Sequence, residues 1–267
     1  MRSKGKTAII VEGTAREPQL LNNMLKVLFR RELCEIILLP AGQNIYMLWK
    51  QLNADEFQTD IIEVLRESSK DLEQRLESFS RDDFAEVYLF FDYDGHQDNL
   101  TDETDGSTVL QQMLETFDDE TENGKLYVSY PMVEALRDYV PQSCRVLTEC
   151  CCQINDLTSY KHRSGHNNIH SDVRKYDYTD WCEILEVYAM RVSCLFQWDG
   201  VFSFAQYREW VSPRSVYEQQ LIHIQNGQIF VLSAFPAFIL EYYKESFWNS
   251  HVKRASYEAE GCMIVCQ

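Results

Sequence analysis

The chain has 267 residues, 45% of them hydrophobic, with 42 acidic and 25 basic side chains and a net charge of −17. That much apolar material builds a real core and excludes a disordered chain, and no uncharged apolar run approaches the length of a membrane span. The acidic excess excludes broad electrostatic attraction to nucleic acid. It is also uneven, with 29 acidic and 15 basic side chains in residues 1–149 and 13 and 10 in residues 150–267. Any action on nucleic acid therefore needs divalent metal, a local basic patch or a basic partner to offset the repulsion. Nine cysteines, three of them adjacent at Cys150, Cys151 and Cys152, include no Cys-x-x-Cys pair and read as reduced thiols. The opening MRSKGKTAIIVEGT is basic but meets Glu12 too early for a secretory apolar segment, so a cytoplasmic location is expected.

In chain order, KTAIIVEG reads as a short buried strand ending at Glu12 and Gly13. REPQLLNNMLKVLFRR follows with Leu20, Leu21, Met24, Leu25, Leu28 and Phe29 at helical spacing, and Pro18 fits its first turn. CEIILLPAG is a second strand, stopped by Pro40 and Gly42. NIYMLWKQLNA and then TDIIEVLRESSKDLEQRLESF read as helices, EVYLFFDYDG as a third strand, STVLQQMLETFDDE as a helix and GKLYVSYP as a fourth strand. MVEALRDYV begins another helix. Strands alternating with helices predict an α/β layer with a mostly parallel sheet, in which ligands sit beyond the carboxyl ends of the strands.

Residues 141–175 are polar and irregular in pattern. From TDWCEILEVYAMRVSCLFQW onward the period is helical, with Trp181, Ile184, Leu185, Tyr188, Val192 and Leu195 near one face and Thr179 or Asp180 as the cap. FSFAQYREWV, SPRSVYEQQLIHIQNG and FPAFILEYYKESFW predict three more helices, while GQIFVLSAF reads as extended. The expected division is residues 1–145 as an α/β domain and residues 146–267 as a mainly helical region.

Strand alternation puts Asp92 and Asp94 on one face, roughly 6–7 Å apart. Carboxylates that close raise each other's pKa. A divalent cation relieves the conflict, and Mg²⁺ takes one or two carboxylates together with waters and substrate phosphates. Gly95 permits a tight exit that keeps both side chains aimed outward.

A first strand ending in Glu-Gly, a helix, and a later strand ending in Asp-x-Asp-Gly resembles the Toprim family, the metal-binding module of topoisomerases, bacterial primases and nucleases of the overcoming-lysogenization-defect group. The resemblance covers about residues 5–140 and rests on IIVEGTAREPQLLN and VYLFFDYDG. Glu17 echoes the EG-x-x-x-E of several Toprim nucleases, although its position also suits the first turn of a helix. SYPMVEALRD is similar to the NP-x-x-E of small Toprim proteins of the RloB group. Pro131 and Glu134 align with that pattern, whereas Ser129 and Tyr130 depart from its asparagine.

The resemblance implies a Toprim-like central sheet flanked by helices and a metal-dependent nuclease. Asp92 and Asp94 hold Mg²⁺ or Mn²⁺, Glu12 completes the shell or serves as general base or acid, and Glu134 binds a second metal or orients the other ligands. It also implies DNA or RNA as substrate and work beside a separate ABC-type or AAA ATPase in bacterial antiviral defence. The chain itself contains no Gly-rich Walker A phosphate loop. Lys4 and Lys6 precede the first strand, at the opposite edge of the sheet, and are not assigned to the site.

Asp-x-Asp-Gly also opens haloacid-dehalogenase-type phosphatases, but there it ends in Thr or Ser on an early strand, whereas His96 follows here. His162, His166 and His170 recur every four residues, yet Gly165, Asn167 and Asn168 disfavour a helix and no standard zinc spacing is present. Lys161, Arg163, Arg174 and Lys175, interleaved with Tyr160, Tyr176 and Tyr178, suit nucleic-acid contact by backbone charge and base stacking. A non-catalytic reading makes the sheet a scaffold and the aromatic helical region a docking surface.

Overall fold

A computed structural model of the protein describes residues 5–29, 35–93, 106–139, 150–164 and 172–252. The chain forms two compact units, residues 1–127 and 128–267. Residues 128–139, grouped by sequence with the first domain, fall in the second unit.

The first unit opens with strand β1 (Lys6–Val11), helix α1 (Arg16–Leu28) and strand β2 (Ile36–Pro40). Helices α2 (Ile45–Asn53), α3 (Ile61–Ser68) and α4 (Lys70–Leu76) follow, then strand β3 (Phe84–Asp92) and helix α5 (Gly106–Thr116). Strands β4 (Asp118–Asp119) and β5 (Gly124–Ser129) complete a five-stranded sheet of order β2-β1-β3-β5-β4. β1 pairs in parallel with β2 (Val11 opposite Pro40) and with β3 (Val11 opposite Phe90), while β4 returns antiparallel to β5. The fold is therefore α/β with a mostly parallel central sheet, as the alternating periods predict.

Burial follows from position in the sheet. Ala8, Ile9, Ile10 and Val11 of β1 are fully buried, as are Val87 and Leu89 of β3. A parallel strand covered on both faces needs an unbroken apolar run rather than alternation. β2 lies at the edge and is half-exposed over Ile36–Leu38, and an edge strand accommodates Pro40, which cannot donate to a ladder. α1 buries Leu20, Leu21 and Met24, one face of a 3.6-residue period.

The single helix predicted over residues 59–79 is two helices. Ser69 between them is extended (φ −159°, ψ 153°), and its hydroxyl accepts the Leu72 N–H at 3.3 Å. A serine that satisfies a backbone donor itself competes with helix continuation and starts α4 afresh.

In the second unit the segment predicted to begin a helix is a 3₁₀ turn, Val133–Asp138. The stretch read as irregular contains strand β6 (Cys151–Gln153) and helix α6 (Leu157–Arg163). Helices α7 (Tyr178–Leu195), α8 (Phe204–Trp210) and α9 (Pro213–Ile224) follow, then strand β7 (Gln228–Phe230) and helices α10 (Ala234–Tyr242) and α11 (Glu245–His251). β6 and β7 form an antiparallel ribbon, with Cys151 opposite Phe230.

The α7 cap is Asp177 rather than Thr179 or Asp180. Its carboxylate accepts the N–H groups of Thr179 and Asp180, and the Asp180 carboxylate accepts the Asp177 N–H at 2.8 Å, a reciprocal capping box. The predicted helix over 235–248 is interrupted where Tyr243 and Lys244 are extended (ψ 156° and 172°). Trp181, Ile184, Leu185, Tyr188, Val192 and Leu195 are all buried, as the stripe predicts. Among the described residues no helix is long and apolar enough to cross a membrane.

Candidate metal centre

Strand β1 delivers Glu12 and strand β3 delivers Asp92 to the same end of the sheet. Parallel pairing continues one step past β1, the Glu12 N–H donating to the Phe90 carbonyl at 3.2 Å. Turning into the next loop, the Glu12 side chain reaches across: its Oε2 accepts the Asp92 N–H at 3.1 Å. Both side chains are half-exposed, at the carboxyl ends of adjacent central strands. Adjacent parallel strands thus convert a long separation in sequence into one hydrogen bond.

The loop that carries Glu12 is held from both sides of one peptide group. The Glu12 carbonyl accepts the Gly42 N–H at 2.9 Å, from the turn after β2. The Gly13 N–H, in the same peptide plane, donates to Glu17 Oε1 at 3.1 Å. Glu17 is 8% exposed and sits in the first turn of α1, whose N-cap Ala15 offers no side-chain oxygen. The carboxylate thus serves a donor of the turn preceding the helix, which helix-dipole reasoning alone does not specify.

Asp94 and Gly95 lie outside the described residues, so the structure places Glu12 and Asp92 together and is silent on Asp94. Glu134 is 3% exposed and lies in the 3₁₀ turn Val133–Asp138 of the second unit. The preceding Tyr130 bridges to Leu232 by N–H to carbonyl bonds of 2.7 and 2.8 Å in both directions, and Tyr130–Pro131 is a cis peptide. Lys6 pairs with Glu35, at the amino-terminal end of the strands. Among the described residues no group of three or more His, Cys, Asp and Glu is arranged to hold a metal.

The basic candidates all fall in the second unit. Lys161 and Arg163 occupy the exposed last turn of α6, where Arg163 meets Asp156 at 3.5 Å. Arg174 forks onto Asp172 with bonds of 2.8 and 3.0 Å, and Lys175 approaches the same carboxylate at 3.5 Å. The Arg174 guanidinium, foremost among these contacts, holds the Asp172 carboxyl well below the usual carboxylate range. Two of the four predicted cations therefore share one local counter-charge, which lowers their pull on a phosphate backbone. His162 lies on α6, while His166 and His170 lie outside the described residues.

A buried polar cluster in the second unit is absent from the sequence expectations. Arg191, 1% exposed on α7, donates to the carbonyls of Val231 at 3.2 Å and Asp138 at 2.9 Å, with its guanidinium 4.8 Å from the centre of the Tyr139 ring. The Tyr160 hydroxyl donates to Asp138 Oδ2 at 2.6 Å. Burial raises the Asp138 carboxyl, against the opposing pull of Tyr160 and Arg191. The signal in the sequence was one cation three residues after Tyr188 on an otherwise apolar stripe. Cys151 and Cys152 lie beside this cluster, and burial pushes both thiols up to about 12, which leaves them protonated and weakly nucleophilic.

Chemically, Glu12 and Asp92 bring hard oxygen donors to adjacent strand ends, with one carboxylate oxygen of Glu12 already engaged by a backbone donor. Such a pair fits Mg²⁺ or Mn²⁺, which bind through one or two carboxylates and keep other positions for water and phosphate. Comparison with family models, with curated proteins and with solved structures gives no match for this chain.

Proposed function

We propose that the protein is a metal-dependent phosphodiesterase of the Toprim type that hydrolyses nucleic acid, with its site at the carboxyl ends of β1 and β3. The support is one contact: the Glu12 carboxylate bonded to the Asp92 main chain, at the strand ends where an α/β sheet places its chemistry. Asp92 and Glu12 would hold Mg²⁺ or Mn²⁺, together with Asp94 two residues on. The cation, when bound, neutralises charge on the phosphoryl oxygens and lowers the pKa of a coordinated water.

The chain's own groups carry the remaining work. Asp92, partly exposed at the end of β3, would orient the phosphate-bearing substrate against the sheet rim. Glu12 stands beside it as the carboxylate that takes the proton of the attacking water. Its aim is set by the Asp92 N–H rather than by a flexible rotamer, which keeps the reacting geometry pre-arranged. The net charge of −17 makes the cation a requirement of this reading, because a polyanionic substrate approaches an acidic protein only where cations screen the approach. A nucleotide-driven step belongs to a separate ATPase, since the chain has no Walker A loop.

The test is a cleavage assay on single- and double-stranded DNA and RNA under Mn²⁺ titration, comparing the wild-type chain with Asp92→Asn. Cleavage that requires Mn²⁺ and falls at least about 100-fold in the variant, roughly 3 kcal/mol of transition-state stabilisation, is the expected result. Wild-type protein inert on all four substrates, or Asp92→Asn as active as wild type, overturns the proposal.

A further inference from the structure

We infer that Glu17 is a positioning residue for the Glu12–Asp92 pair, acting through the Gly13 peptide; this rests on the metal-dependent reading above and names the residue that sets its geometry. The peptide group between Glu12 and Gly13 is anchored at both ends, its carbonyl by the Gly42 N–H at 2.9 Å and its N–H by Glu17 Oε1 at 3.1 Å. A peptide is planar and rigid, so anchoring both ends fixes the last backbone torsion of Glu12. That torsion, together with the bond from Glu12 N–H to Phe90, sets the direction in which the Glu12 side chain leaves the sheet.

Glu17 is itself held rigidly. It sits on α1, which is pinned by the buried residues Leu20, Leu21 and Met24, and is 8% exposed. Its carboxylate lies against the α-carbon of Gly13. A Cβ at position 13 would lie 2.4 Å from Oε2, 2.7 Å from Oε1 and 2.9 Å from Cδ, closer than atoms pack. Gly13 therefore lets a carboxylate dock on the turn, and it does so without a left-handed backbone. Two positions four apart in sequence form one device that orients a third.

The chemistry separates this role from metal ligation. The bond to Gly13 needs an acceptor oxygen, which a glutamine amide also supplies; coordination of a cation needs the carboxylate charge. Glu17→Gln thus keeps the positioning contact and deletes a ligand, whereas Glu17→Ala deletes both. Gly13→Ala leaves the carboxylate in place chemically and displaces it.

The experiment measures Mn²⁺ affinity by calorimetry, alongside urea unfolding and the kcat and KM of cleavage, for wild type, Glu17→Gln, Glu17→Ala and Gly13→Ala. Mn²⁺ affinity for Glu17→Gln is expected within about 3-fold of wild type. Glu17→Ala and Gly13→Ala weaken it by roughly 10–100-fold, the range for groups that orient metal ligands, and lower kcat with KM for nucleic acid unchanged. Should Glu17→Ala not fold, Glu17→Gln and Gly13→Ala still give opposite outcomes. Equal loss in Glu17→Gln and Glu17→Ala overturns the inference in favour of direct ligation, and wild-type affinity in all three variants overturns it outright. Wild-type protein that binds no Mn²⁺ overturns the underlying reading instead, a distinct result.

Discussion

The Glu12 carboxylate accepts the main-chain N–H of Asp92 at 3.1 Å, joining residues 80 apart in the chain. The contact has a structural and a chemical component, and substitution separates them. Glu12→Ala leaves the Asp92 N–H without this acceptor and is expected to cost about 1–2 kcal/mol of stability. Glu12→Gln retains an acceptor oxygen and is expected to cost under about 0.5 kcal/mol. Both abolish Mn²⁺-dependent cleavage. Urea denaturation of the two variants reads the difference, and equal destabilisation would show that carboxylate charge rather than the hydrogen bond supports the strand ends.

Gly124 opens β5 with φ +110°, and a Cβ there would lie 2.7 Å from Leu89 Cδ1 and 3.1 Å from Val87 Cγ1, both in the buried centre of β3. Gly124→Ala meets two penalties, about 1–2 kcal/mol for a positive φ on an L-residue and about 1–3 kcal/mol for overpacking a filled core. Gly42→Ala serves as the control. Its φ is +67°, but the nearest atom to the new Cβ is Thr14 Cγ2 at an ordinary 3.8 Å. The first variant should therefore lose at least about 1 kcal/mol more than the second by urea midpoint, and a smaller gap would locate the cost in backbone strain alone.

Asp138 makes a contribution to the pH dependence of stability opposite in sign to that of Asp172. Burial raises its folded pKa above the ordinary 3.8, so between that value and the raised one the folded chain binds more protons than the unfolded chain. Stability then falls as pH rises through this window, because stability rises with pH only where the unfolded state holds the excess protons. Below 3.8 both forms are protonated and the penalty is absent. Unfolding followed by the near-ultraviolet signal of Trp181 and its neighbours, at steps from pH 3.5 to 7, should show a slope that is more negative in wild type than in Asp138→Asn. An unchanged slope in the variant would assign the effect to other groups.

Much of the first unit was legible because its signals are local. β1 and β3 announce themselves as unbroken apolar runs, and α1 as a stripe through Leu20, Leu21 and Met24. The helix break at Ser69 was not legible from periodicity, since hydrophobic spacing continues on both sides while a single hydroxyl decides the backbone. Glu12 and Asp92 could be paired from their strand-end positions, because parallel neighbours bring such ends together. The link from Glu17 to Gly13 was invisible, since first-turn glutamates are ordinary and only coordinates show which donor one of them serves. Arg191 was hidden for a similar reason. A cation on an apolar stripe reads as an exception until its carbonyl partners, Val231 and Asp138, arrive from 40 and 53 residues away.

The order in which the sheet is assembled differs from the order in which it is made. β1 precedes β2 and β3 in the chain, yet it ends with β2 on one side and β3 on the other. Its pairing with β2 is available once residue 40 has emerged, whereas its other edge stays bare until residues 84–92 are synthesised. For that interval the growing chain exposes an apolar ribbon with unsatisfied backbone groups, the form most prone to mispairing. It also lacks the carboxylate partnership at its tip. Both strand-end residues are present once Asp92 has been made, about a third of the way along the chain, and the interval before that is when β1 is most open to mispairing.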